Sequence, residues 1–413
     1  MAKNYADIYG SGNVSIALEQ RWYLKPETTR GELIAPAGTD FFFTLGGGSI
    51  EHTQPIESSP HRSGRHHNNI IKKKKEASFS FSTYFNIDDT VVAPGVTEID
   101  PAVRNLWKSM LGAEDISSGP KYTAAVPNFT FTLVECSDKW ARQARGSFIQ
   151  GCNMTFPGDG EATCEWSGAC KDALYIGMGK STTDNDGANT VTLQAGEGKL
   201  FEKAIGGMVM LIEANGTTRS ADTPDGTPRK IVSVVGDVVT LDGAVLADAD
   251  GSGLNAPLYL VYYEPATPTA IDNPQTGLVG SFAVTGFGTL CARSVGVNLT
   301  NDHELVNYCY GSDSLKAPFY VAGNRMTAEV TFESNMDENL LAIFNSVQNF
   351  DGQDLTLELG DNTKRYLKVG LPNVKFSIPS IAIPDTGSVP VTFTGNAYQT
   401  AFDAADEISV HFT

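Results

Sequence analysis

Gly177-Met178-Gly179-Lys180-Ser181 has the ending of a phosphate-binding loop, in which backbone N–H groups and a helix N-terminus hold the anion. That pattern needs a further glycine where Leu174 stands, and the flanking alternation reads as strands, so phosphate binding is set aside. Asp248-Ala249-Asp250-Gly251-Ser252-Gly253 resembles a calcium loop, but Tyr259 occupies the place of the bidentate glutamate, and the segment reads as an Asp/Gly turn. His61, His66 and His67 crowd into one segment with no acid beside them to orient a ring for metal binding. Cys152, Cys164 and Cys170 approach ligand spacing only loosely. Neither a His-Glu-x-x-His helix nor a Gly-x-Ser-x-Gly elbow occurs. The chain is read as a non-enzyme without cofactor or metal.

What must position any site is then the pattern of elements, and that pattern occurs twice. Phe156-Pro157-Gly158-Asp159-Gly160 and Cys164-Glu165-Trp166-Ser167-Gly168 match Ile383-Pro384-Asp385-Thr386-Gly387 and Val391-Thr392-Phe393-Thr394-Gly395 at one offset (384 − 157 = 227). Cys164 thereby falls opposite Val391 and reads as a buried apolar side chain. Upstream, Phe129-Thr-Phe131-Thr-Leu133 matches Leu355-Thr-Leu357-Glu-Leu359 (355 − 129 = 226). Asp100 and the apolar series Val103, Leu106, Trp107, Met110 match Asp337 and Leu340, Ile343, Phe344, Val347 (337 − 100 = 237). Each series is one amphipathic helix behind an Asp able to cap its first turn. Phe79 and Phe81 match Val330 and Phe332 (332 − 81 = 251) in alternating strands. The offset falls along the chain because loops take insertions while elements keep their order. A mainly β fold follows: two tandem units with one short helix each.

Residues 14–171 form the first unit, behind an N-terminal arm at 1–13, and residues 276–413 form the second with a C-terminal arm. Residues 172–275 differ in composition. Val191-Thr-Leu, Met208 to Ile212, Ile231 to Val235, Val238 to Leu241 and Leu258 to Tyr263 read as five strands, with Gly236-Asp237 as a hairpin turn. This stretch is expected to be a small β barrel, separable from both units and dispensable to them, followed by a Pro-rich linker. No apolar run is long enough to span a membrane, and the first residues lack the apolar core of a signal peptide.

The net charge of −18 argues against a general nucleic-acid binder. Residues 58–75 run against it: Arg62, Arg65 and Lys72, Lys73, Lys74, Lys75 give +6 with no acid, leaving −24 elsewhere (−18 − 6).

This duplicated β pattern, with glycines at 46–48, a long loop to Lys75, a strand, a helix at 101–111 and paired strands after it, resembles the tail tube proteins of long-tailed bacteriophages. The duplicated type of chi-like, flagellotropic siphophages is the nearest likeness. The resemblance implies a structural virion protein, assembled in the host cytoplasm into stacked rings that form the tail tube and conduct DNA during ejection. Three two-unit chains would make a pseudo-six-fold ring. Implied partners are other copies and the end proteins of a tail (tape measure, terminator, distal tail), with DNA passing unbound and no membrane. Arg62, Arg65, His66, His67 and Lys72 to Lys75 are the expected inter-ring contacts. Glu135, Asp138, Glu358 and Asp361 are the expected acidic lining of the conduit. The alternative is an exported carbohydrate-binding or adhesive tandem β-sandwich.

Overall fold

The computed structural model describes the chain except residues 1–8, 10–19, 60–61, 64–65, 68, 89–98, 127–129, 183–188, 214–226, 245–257, 266–267, 306–319, 361–365 and 413. The described chain is mainly β, with 28 strands and two α-helices.

In the first half, Arg21–Pro26 pairs with Phe131–Cys136, which pairs with Ala141–Pro157. That long strand pairs with Thr163–Cys170, then follow Glu76–Tyr84 and Ser49–Thr53. In the second half the same order runs Gly280–Val284, Gln353–Gly360, Tyr366–Phe376, Pro390–Ala397, Tyr320–Asn335 and Ala292–Leu305. A seventh strand folds back on the third in each half, Asp172–Ile176 in one and Ser409–Phe412 in the other. All these pairings are antiparallel.

Register agrees as well as order, with one correction: Phe131 and Gln353 hold equivalent places (353 − 131 = 222), because their partners Ser147 and Val374 are equivalent (374 − 147 = 227), so the match of Phe129 with Leu355 at 226 slips by four residues. Trp166 stands opposite Phe81, and Phe393, its counterpart at 227, stands opposite Phe332, the counterpart of Phe81 at 251. Gly168 and Gly395 are glycine for one reason: a Cβ would lie 2.2 Å from the Phe148 carbonyl oxygen in one and 2.5 Å from that of Lys375 in the other. Those two carbonyls are themselves counterparts (375 − 148 = 227).

The helices fall where the 3.6-residue periodicity puts them, at Pro101–Leu111 and Glu338–Gln348. Pro101 starts the first with its φ already set, and Gly112 at φ +92° ends it. Trp107 sits at the centre of the buried face, 4.8 Å from the Trp166 ring and 6.3 Å from that of Phe412. The two Asp residues diverge. Asp337 caps its helix by accepting from the Leu340 N–H, whereas Asp100 accepts from Ile271 in the linker and makes no cap bond.

The halves are joined edge to edge. Gly151 to Pro157 pair with Thr300 to Ser294, so one sheet runs through both, and a single apolar core extends across the junction. The last strand, Ser409–Phe412, lies between Tyr366–Phe376 and Lys121–Ala124 and so carries the second half's sheet onto the first.

The middle segment is a six-stranded barrel ordered Met178–Lys180, Leu258–Tyr262, Met208–Glu213, Arg229–Val235, Val238–Leu241 and Thr190–Thr192. An isolated bridge between Ser181 and Leu193, flanked by Thr182 N–H to Thr192 O (2.8 Å) and Gln194 N–H to Lys180 O (3.0 Å), closes it. Two expectations are corrected here. Asp172–Ile176 belongs to the first unit's sheet, so the barrel begins at Met178. Nor is the barrel's larger core its own: that core is continuous with Tyr23, Leu33, Val134, Cys136, Ala141, Leu174 and Ile176 of the first unit. The Gln143 side chain both donates to Met208 O (2.8 Å) and accepts from Met208 N–H (2.7 Å), fully buried. Arg21 pairs with Glu264 at 2.8 Å beside them.

Candidate assembly surfaces

The basic segment is not a plain loop. Ile56–Ser58 pairs with Ile70–Lys72, and Arg62–Ser63 with His66–His67, so it is a two-stranded ribbon continuing the hairpin of Ser49–Thr53 and Glu76–Tyr84. Arg65 lies outside the described residues, and Arg62, His66 and His67 are placed by their backbone alone. Lys72 and Lys73 are exposed, Lys74 and Lys75 half-buried, and Lys73 forms an ion pair with Glu57. Sequence reasoning missed the apolar members: Ile56, Ile70 and Ile71 are all about half or more exposed on this ribbon. Three exposed isoleucines among lysines suit a contact with another surface better than a solvated tip.

The carboxylates expected to line a conduit are placed differently from one another. Glu135 is buried at 2% exposure, accepting from Arg142 and from Gln20, both at 2.5 Å. Asp138 is also buried and accepts from the Ser137 hydroxyl, while its backbone oxygen accepts from Tyr262. Within the single chain both serve the interior of the first unit. Burial of an ion pair costs desolvation that the neighbouring donors offset, so these are internal positioning groups. Glu358 is partly exposed and pairs with Lys368 at 3.0 Å. Asp361 lies outside the described residues.

Among the described residues no group of three or more His, Cys, Asp or Glu could hold a metal ion. Cys164 is buried, as is Val391 opposite it in the repeat, and burial followed by its contact with Cys152 raises its pKa. Lys180 stands in a strand rather than at a helix N-terminus, and its N–H donates to Glu197. The Asp248 turn lies outside the described residues.

A groove of about 660 Å³ runs over the shared sheet, crossing from Gly46–Gly48 past Ser80, Gln150 and Asn153 to Asn298 and Asp302. Trp166 and Phe81 border it from below with their rings buried, so it offers no stacking platform of the kind a sugar uses. No helix among the described residues is long and apolar enough to cross a membrane.

What the second half leaves uncovered is more informative than any pocket. Ile378, Ile383, Leu341, Phe350 and Phe402 are all at least half exposed. No protein-family model matches this chain, and no curated protein resembles it significantly in sequence.

Proposed function

We propose that this chain is a structural protein whose copies close into rings of three and stack into a tube of the long-tailed phage type, a conduit for DNA. The observation that carries the reading is the edge-to-edge join of two halves with identical strand order. Two like units bonded through unlike edges form a head-to-tail contact, and a head-to-tail contact repeated by a closing rotation makes a ring. Open strand edges and an exposed apolar surface on the second half are what such a ring would cover. The acidic balance outside the ribbon suits a passage that repels phosphate. In this reading the protein belongs to a virion tail, with further copies and tail-end proteins as its partners. Negative-stain microscopy and mass measurement of the purified protein test it. The expected result is rings or tubes containing three chains per ring; monomers at all concentrations would refute it.

A further inference from the structure

The join inside the chain specifies the join between chains. At the internal junction, Cys152, Met154 and Phe156 are buried where their strand meets Val295, Val297 and Leu299. Their counterparts at 227 are Pro379, Ile381 and Ile383 (381 − 154 = 227). Residues 378–384 pair with no strand among the described residues, and Ile381 and Ile383 are 39% and 81% exposed. The other side of the junction has a counterpart too. Val297 faces Val330 and Ile50 faces Phe79, and Phe79 and Val330 are equivalent, so Ile50 is the equivalent of Val297 (297 − 50 = 247). Among the described residues Ser49–Thr53 pairs with one strand, Glu76–Tyr84.

We infer that residues 378–384 of one copy form a strand against Ser49–Thr53 of a second copy, antiparallel, with Ile381 opposite Ile50. This rests on the ring reading above and deepens it, because it fixes which edges meet and in what register. Transferring Met154↔Val297 gives Ile381↔Ile50, and transferring Asn153↔Asn298 gives Ser380↔Glu51. The backbone agrees from Ser380 onward, while Pro379, opposite His52 at a hydrogen-bonded place, has no N–H to donate and leaves the His52 carbonyl outside the ladder. Gly158 N–H donates to Arg293 O at 2.9 Å, so the carbonyls of 293, 295 and 297 point into the junction, and those of Gly46, Gly48 and Ile50 point out of the first unit's edge. In the single chain Ile50 O accepts from the Arg142 guanidinium (2.5 Å) and Gly48 O from the Gln20 amide (3.2 Å). Side chains hold the edge that a strand would take, and strand addition replaces or shares those donors.

A further pair of carboxamides falls into place. Asn301 donates across the junction to Met110 O at the end of the first helix. Its counterpart is Gln54 (301 − 54 = 247), and the counterpart of Met110 is Val347 at the end of the second helix (347 − 110 = 237). In the single chain the Gln54 amide donates to Lys73 O (3.0 Å), and repeating the bond on the next copy means exchanging or sharing that acceptor.

The test is disulfide trapping in the full chain, with Cys291→Ser to remove the exposed thiol among the described residues and Cys309→Ser to remove the one outside them. Ser380 and Glu51 would form a non-hydrogen-bonded antiparallel pair, whose Cα separation of about 4.5 Å suits a disulfide. Under mild oxidant the Ser380→Cys/Glu51→Cys variant is expected to give a ladder of cross-linked chains. Neither single variant should do so, nor should the mismatched Asp385→Cys/Glu51→Cys, five residues out of register and roughly 17 Å apart. Ile381→Lys, at an exposed position, is expected to keep the monomer's circular dichroism and abolish both ladder and rings. Rings without a ladder would overturn the strand register while sparing the ring reading. Equal trapping by the mismatched pair would overturn the register as well. Absence of both ladder and rings would overturn the two together.

Discussion

Asp100 and Asp337 stand at the same place in the two units and do different work. Asp337 caps a helix, a role legible from its spacing to the apolar series. Asp100 was drawn into the core by the linker, which sequence spacing could not disclose because Ile271 is 171 residues away. Burial pushes the Asp100 pKa up to about 7, against the Ile271 N–H, which pulls it down, while Asp88 adds to the rise. Its second carboxylate oxygen, Oδ2, is buried without a hydrogen-bond partner among the described residues. Between its ordinary value of 3.8 and about 7 the folded chain keeps a proton that the unfolded chain has lost. Stability therefore falls as pH rises through that window and levels off above it. Asp100→Asn keeps the acceptor for Ile271 without the charge. It should raise stability at pH 8 by roughly 1–3 kcal/mol and leave it nearly unchanged at pH 4, as urea titrations at the two values would show. The glycines make a paired prediction. Gly168→Ala and Gly395→Ala should each cost about 2–3 kcal/mol, since both methyls strike a carbonyl on the neighbouring strand. Unequal effects would mean that the two sites are not packed alike.

At the scale of elements, the strands and helices were legible because periods of 2 and 3.6 residues are local properties of the chain. Which face each strand buries was less so. A signal existed for the barrel's docking: Trp22-Tyr23-Leu24 and all six residues of Phe131–Cys136 are buried, so neither strand has a solvent face, and Trp22-Tyr23-Leu24 and Leu133-Val134 are consecutive apolar residues where a half-exposed strand would alternate. Replacing residues 178–262 by a Gly/Ser linker should therefore bare Tyr23, Val134, Leu174 and Ile176 and send the protein into aggregates on size-exclusion chromatography. A soluble, assembling product would restore the view of the barrel as a removable module. Gln143→Ala offers a graded version, leaving the Met208 N–H unpartnered while Met208 O keeps the Tyr263 N–H (3.0 Å), at a cost of about 1–3 kcal/mol. The basic ribbon was legible as charge but not as paired backbone, because its polar run carries no apolar period. If it docks on an acidic surface of a neighbouring copy, changing Lys72 to Lys75 to glutamate should weaken assembly and flatten its dependence on ionic strength. Assembly with an unchanged salt response would leave the ribbon as a solvated tip.

For the whole molecule, duplication and continuity act together. Each half has its own seven strands and helix, yet neither closes its core alone. The long strand of the first half supplies an edge for the second, and the final strand of the second lies beside Lys121–Ala124 of the first. Tyr122 and Phe412 meet around Trp107, so the first helix is packed partly by the chain's last residues. The sequence offsets pointed to a repeated order of strands but not to this interlock, since strands paired across halves share no spacing with strands paired within one. Two units built this way should unfold as one. Calorimetry of the wild-type chain is expected to show a single transition, whose calorimetric and van't Hoff enthalpies agree. Val410, fully buried in the final strand, is the place to break the coupling. Val410→Asp puts an unpaired charge between Tyr366–Phe376 and Lys121–Ala124, which should cost on the order of 3–5 kcal/mol. The expected thermogram then separates into two transitions, the earlier one exposing tryptophan fluorescence from the first half. Two transitions already present in the wild type would show instead that the halves touch without sharing a fold, and the internal junction would lose its standing as the pattern for contacts between copies.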